Sequence, residues 1–96
     1  MRRAARVDVN QRQITKELRE QGYSVAITSQ LGKGFPDIVV GFKGVNLMVE
    51  LKATSKDKLT PHEVEFRDNW KGQYLIAWST EMIIEAFDPL IGAVTS

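Results

Sequence analysis

The chain has 96 residues, 43% of them hydrophobic and 26% charged, the mix of one small globular domain and not of a disordered segment. It contains no cysteine, which excludes disulfides and thiolate metal sites and fits an intracellular location. A net charge of +1 gives no bulk argument for nucleic-acid binding, no apolar run reaches the roughly 18 residues of a spanning helix, and no apolar stretch follows the N-terminal arginines as a signal peptide requires.

Residues 1–96 read as one domain, with 1–7 as a flexible basic arm that carries Arg2, Arg3 and Arg6. Asp8 reads as a helix N-cap, with Gln11 in the place of the capping-box partner, and Ile14 and Leu18 continue one apolar face to a stop at Gly22. Ser24 to Thr28 alternates as a short strand. Ser29 to Phe35 is a loop in which Gly32, Lys33 and Gly34 either approach a phosphate through backbone N–H groups or serve only as a flexible connection. Two strands follow, Pro36 to Val40 and Asn46 to Lys52, and Lys43-Gly44 between them suits a tight hairpin turn. Ala53 to Leu59 is a polar loop. Thr60, Pro61 and Glu63 mark a second helix start, cap, first position and capping-box partner in turn, with the helix ending near Gly72. Gln73 to Trp78 is an apolar strand expected at the centre of the sheet. Ser79 or Thr80 caps a last helix that carries Met82, Ile83, Ala86 and Phe87 and ends at Pro89. Phe66, Trp70 and Trp78 read as core, and His62 as a solvated surface residue. The order is α-β-β-β-α-β with a C-terminal helix, an α/β fold with a mixed sheet flanked by helices.

Charged residues do not belong inside apolar strands, because burying an unpaired charge is costly. Here Asp37 opens one strand, and Glu50 and Lys52 lie in the next. Side chains alternate across a strand, so Met48, Glu50 and Lys52 share one face while Leu47, Val49 and Leu51 share the other. If Lys43-Gly44 is the turn, Phe42 pairs with Val45 and Asp37 falls opposite Glu50. Two carboxylates that close repel unless one is protonated or a cation lies between them. Oxygen ligands of this kind suit Mg²⁺ or Mn²⁺. The plainer alternative for Glu50 and Lys52 is an exposed strand face with a salt bridge.

Pro36-Asp37 on one strand and Glu50-Leu51-Lys52 on the next resemble the PD-(D/E)xK nuclease superfamily, whose core of helix, three-strand meander, helix and strand has the element order given above. The wider run is more specific. Gly34-Phe35-Pro36-Asp37-Ile38-Val39-Val40-Gly41, Val49-Glu50-Leu51-Lys52, Lys58-Leu59-Thr60-Pro61 with Glu63 and Phe66, and Trp70 with Gly72 are similar to the stand-alone VRR-NUC domains of phages. The resemblance covers roughly residues 7–88. It implies a metal-dependent DNA endonuclease that needs no organic cofactor and no membrane, acting inside a phage-infected or prophage-bearing bacterium. Asp37, Glu50 and the backbone carbonyl of Leu51 would hold Mg²⁺ or Mn²⁺, with one ion or two left open. Lys52 would position or help deprotonate the attacking water, or stabilise charge on the phosphate.

The chain departs from that pattern at two points. Many relatives place a glutamate on the first helix; here Asn10, Gln11 and Gln13 are amides, and Gln11, on the face of Ile14 and Leu18, takes the accessory role. Where many have a glutamine early in the second helix, this chain has Glu63. For both residues, helix capping is the competing reading. Lys33, Lys56 and Lys58, with Arg2, Arg3 and Arg6, are candidate DNA contacts, against a plainly solvated surface. The resemblance further implies a homodimer acting on branched DNA such as four-way (Holliday) junctions. A non-catalytic DNA-binding module with the nuclease fold, and a sequence-reading restriction-type nuclease, are the alternatives.

Overall fold

Lys43 and Gly44 adopt φ of 50° and 82°, the paired left-handed conformation of a two-residue type I′ turn. The turn closes Phe42 on Val45 and sets Ile38 opposite Val49. This is the register expected from the sequence, and it brings Asp37 alongside Glu50. The computed structural model describes residues 2–95, with side chains from residue 10 to residue 93.

The elements are α1 (Arg2–Glu20), β1 (Ser24–Ile27), a 3-10 turn (Ser29–Leu31), β2 (Ile38–Phe42), β3 (Val45–Leu51), α2 (Pro61–Asn69), β4 (Tyr74–Ala77) and α3 (Thr80–Thr95). The sheet order is β1-β2-β3-β4, with β1, β2 and β3 antiparallel and β4 parallel to β3. The parallel step requires a crossover, and α2 supplies it. On one face, α1 and α3 cover Ile38 and Val40 of β2 and Val45, Leu47, Val49 and Leu51 of β3. Ile14 and Leu18 come from α1, and Ile83 and Phe87 from α3. Tyr23 stacks on Phe42 at 4.0 Å and meets Phe87 edge-on at 5.4 Å, which seals the far end of that core. The other face carries Val39, Met48, Glu50, Tyr74 and Ile76, and α2 lies over part of it through Phe66, 6.1 Å from Tyr74.

Several expectations are corrected. The first helix begins at Arg2, so Asp8 lies within it and not at its N-cap position, and the backbone of residues 2–7, read as an arm, continues α1. The side chains of Arg2, Arg3 and Arg6 lie outside the described residues. The strand β4 is at an edge of the sheet, not its centre. Its apolar character comes from the helices above and below it, not from strands on both sides. Helix α3 runs through Pro89 to Thr95. The proline removes a hydrogen bond to the preceding turn, but Leu90 and Ile91 still pack on the core, and that burial holds the last turns. Trp70 and Trp78 are each 40% exposed, not core. Trp70 terminates α2 in an extended conformation, and Trp78 follows the end of an edge strand.

Candidate active site

Asp37 is pinned by its backbone before its side chain acts. Its N–H donates to the Val49 carbonyl at 3.1 Å, its carbonyl accepts from Thr28 N–H at 2.9 Å, and the Thr28 hydroxyl donates to the Pro36 carbonyl at 2.7 Å. Beyond Ile38 the ladder to β3 stops. The Leu51 N–H, which points to that edge, would otherwise have no partner, and it donates to Asp37 Oδ2 at 2.8 Å. The Leu51 carbonyl projects to the same edge as its N–H, as strand geometry requires. The Leu51 backbone and the Asp37 carboxylate thus meet at one edge of β3.

Glu50 projects from β3 on the face opposite the main core, yet it is only 2% exposed. The exposed-salt-bridge alternative therefore fails for this residue. Its Oε1 is buried with no hydrogen-bond partner, and its Oε2 lies 3.6 Å from Lys52 Nζ. Burial, then the charges of Asp37 and Glu63, push the Glu50 carboxyl up to about 9. Burial likewise raises Asp37, against the lowering effect of the Leu51 amide. A pair of acids that resist ionisation this strongly is a place where a cation is favoured.

Lys52 is turned toward α2. Its Nζ donates to Glu63 Oε1 at 2.8 Å. Burial works to lower this ammonium, but the Glu63 hydrogen bond and the charges of Glu63, Glu50 and Asp37 outweigh it and hold the lysine above its ordinary value. For Glu63, burial works upward, and the Lys52 and Thr60 hydrogen bonds prevail and hold it low. Glu63 also completes the predicted capping box: Thr60 N–H donates to its Oε1 at 2.9 Å, and its own N–H donates to Thr60 Oγ1 at 3.3 Å. The two readings of Glu63, cap and site residue, are both satisfied by one oxygen.

Gln11 caps nothing. It is 7% exposed on the buried stripe of α1, with Oε1 lacking a hydrogen-bond partner. Among the described side chains of α1, Asn10 reaches the site strand: its Nδ2 donates to the Lys52 carbonyl at 3.2 Å. Asn10 was one of the three candidate amides on this helix, and the apolar face of Ile14 and Leu18 pointed to Gln11 in its place. Tyr74 was also missed; it stands on the Glu50 face, and nothing in an apolar strand marks it. Lys33, Lys56 and Lys58 are exposed and are not drawn into the cluster. Gly34 has a φ of 80°, and a Cβ there would stand 2.2 Å from the His62 carbonyl oxygen, so it is the point where the loop is pressed onto the first turn of α2. His62 is exposed at the surface, as expected.

The residues present fit a divalent cation. Glu50 offers a buried oxygen without a donor, and Asp37 and the Leu51 carbonyl offer hard oxygens beside it. Among the described residues no three His, Cys, Asp or Glu side chains close on a single point. Glu63, the third acid nearby, is committed to Lys52 and Thr60.

A mixed sheet that sets a proline-aspartate and a Glu-x-Lys pair together at the ends of adjacent strands, with a helix packed behind, is the architecture of a PD-(D/E)xK nuclease. Over residues 3–89 the chain matches the family model described as archaeal Holliday junction resolvase (Hjc), and it belongs to that family. The family implies a nuclease, a hydrolase that acts on branched DNA. No curated protein and no solved structure matches the chain. No helix among the described residues is long and apolar enough to cross a membrane.

Proposed function

We propose that this protein is a Mg²⁺- or Mn²⁺-dependent endonuclease that resolves four-way DNA junctions as a homodimer. The observation that carries the reading is Glu50, a carboxylate buried beside Asp37 with one oxygen left without a donor. A buried acid oxygen in that state needs a reason, and a cation beside Asp37 supplies one. Asp37, Glu50 and the Leu51 carbonyl would hold the cation. When bound, the cation would supply positive charge facing the phosphate and make a water nucleophilic near neutral pH.

Lys52, held by the Glu63 hydrogen bond, would position or help deprotonate the attacking water, or place positive charge at the phosphate. Glu63 aims it. Asn10 and the buried stripe of Gln11 fix the C-terminal end of β3 against α1. Exposed Lys33, Lys56 and Lys58, with Arg2, Arg3 and Arg6, would contact phosphates and read DNA shape, not bases. Residues 1–96 act as one domain. Two copies are needed because symmetric cuts in a symmetric junction require two sites related by a two-fold axis. The motif run shared with stand-alone VRR-NUC domains supports placing the chain with phage-type members that act inside a bacterial cell.

The test is a cleavage panel of duplex, flap, fork and four-way DNA, with and without Mg²⁺, using wild type and Asp37→Asn. Metal-dependent cutting of the junction by wild type alone is the expected result; cutting by the variant removes the assigned site. Sedimentation should give about twice the 10.8 kDa chain mass.

A further inference from the structure

Two buried oxygens without a hydrogen-bond partner lie on one face of the sheet: Glu50 Oε1 and Tyr74 Oη. The parallel ladder pairs Met48 with Tyr74 and Glu50 with Ile76. Met48 and Glu50 share a face, so Tyr74 is the diagonal neighbour of Glu50 on the adjacent strand. Strand spacing and rise put their backbones roughly 8 Å apart, a span that two long side chains close. The Tyr74 ring leans on Phe66, 6.1 Å away, and Phe66 in turn stacks on Trp70 at 5.1 Å, so the ring's direction is set from the α2 side.

The chemistry of the pair is complementary. A phenol is a donor, and a carboxylate oxygen is an acceptor. A phenol keeps its proton near neutral pH without any help from its surroundings. Buried polar groups left unsatisfied are rare and need a reason, and hydrogen bonds in resting active sites often tighten only when the site is filled. Carboxylates that bind metals are themselves oriented by hydrogen bonds from a surrounding layer of residues.

We propose that Tyr74 is a positioning residue of the active site, whose hydroxyl orients the Glu50 carboxylate for the divalent cation. This rests on the cation reading of Asp37 and Glu50 given above. Tyr74 contacts neither the cation nor the DNA; it acts through Glu50. It sits on an edge strand that is outside the Pro36–Lys52 motif, which is why the motif alone does not reveal it.

Tyr74→Phe removes one oxygen and leaves the ring in place. Three readouts separate the possibilities: the thermal midpoint, Mn²⁺ affinity by calorimetry on the protein alone, and junction cleavage across a Mn²⁺ titration. The expected result is an unchanged or higher midpoint, a Mn²⁺ Kd raised about tenfold, and cleavage that falls at low Mn²⁺ and recovers at saturating Mn²⁺. An unchanged Kd overturns the proposal, whatever the midpoint does. Phe66→Leu added to Tyr74→Phe tests the packing without the hydroxyl; if the second change raises the Kd again by as much as the first, packing is responsible and the proposal fails. Wild type that binds Mn²⁺ but cuts no DNA would sink the nuclease reading and leave the Kd comparison to decide on Tyr74. Wild type that binds no Mn²⁺ would end both.

Discussion

Lys52 is held by Glu63 more closely than by Glu50: its Nζ lies 2.8 Å from Glu63 Oε1 and 3.6 Å from Glu50 Oε2. The same Glu63 oxygen accepts the Thr60 amide at 2.9 Å, so one atom joins the start of α2 to the lysine of the site. Glu63→Gln keeps an amide oxygen for both donors and loses only the charge. It should preserve stability and slow cleavage about tenfold, the worth of one charge-assisted hydrogen bond. Glu63→Ala should add a loss of about 1 kcal/mol from the missing cap. Denaturation curves and single-turnover rates for the two variants separate the roles. A Gln variant with full activity would show that Glu63 serves the helix alone.

Asp37→Asn and Glu50→Gln should each cut the cleavage rate by at least about a hundredfold, the scale seen when one electrostatic partner of a transition state is lost. Folding should survive in Asp37→Asn, because an asparagine oxygen can still accept the Leu51 N–H. Junction binding in Ca²⁺ should remain near wild type for both. Full activity of either variant in Mg²⁺ contradicts the assignment.

The burial of Glu50 predicts an unusual pH dependence. Its carboxyl lies at about 9 in the folded protein against an ordinary 4.5. Between these values the folded state binds more protons than the unfolded chain, so the Glu50 contribution to stability declines as pH rises. Below 4.5 both states are protonated, and Glu50 imposes no penalty. The raised Asp37 acts in the same direction, just above its own ordinary value of 3.8. Glu63 is held low, so it finishes titrating below 4.5, and Lys52 loses its contribution only above 10.5. Denaturant midpoints in a chelator should therefore fall across the window for wild type and stay flatter for Glu50→Gln. Mn²⁺ should restore wild type most at the alkaline end, because the cation binds the deprotonated acids. A flat wild-type profile would show that Glu50 ionises freely.

Gly34→Ala should cost at least about 2 kcal/mol, since φ is 80° and the new Cβ would stand 2.2 Å from the His62 carbonyl oxygen and 2.8 Å from the Glu63 nitrogen. Gly32→Ala is the control for the clash: its φ of 76° and ψ of −175° suit glycine alone, but nothing lies within 4 Å, so only a backbone cost of about 1–3 kcal/mol remains. Equal unfolding free energies for the two variants would mean that the loop does not bear on α2.

The site was legible from sequence where local chemistry decides. A two-residue turn sets the hairpin register, and the Thr60-to-Glu63 spacing is a capping box in any context. The rest depended on tertiary contacts. The Glu63–Lys52 bond joins residues separated by a loop, and no spacing rule encodes it. The Leu51 N–H reaches the Asp37 carboxylate because the register of β2 with β3 ends at Ile38 and the Pro36 carbonyl is taken by the Thr28 hydroxyl. The edge position of β4, and with it the exposure of Trp78, could not be read from an apolar run, because helices bury a strand as well as neighbouring strands do. Helix α3 passes Pro89 because core contacts beyond it outweigh the local penalty.

The tight reversal at Lys43-Gly44 works as a gauge for the chemistry. One inserted residue there would slide the second strand by a single step against the first, and a single step turns every side chain over. Val49 or Leu51 would then meet Asp37 and the acid would be driven into the oil beneath α1 and α3. A chain so altered could keep its helices and still have no place for a cation, which makes two solvent-exposed residues at the opposite end of the hairpin as decisive for the site as the acids themselves.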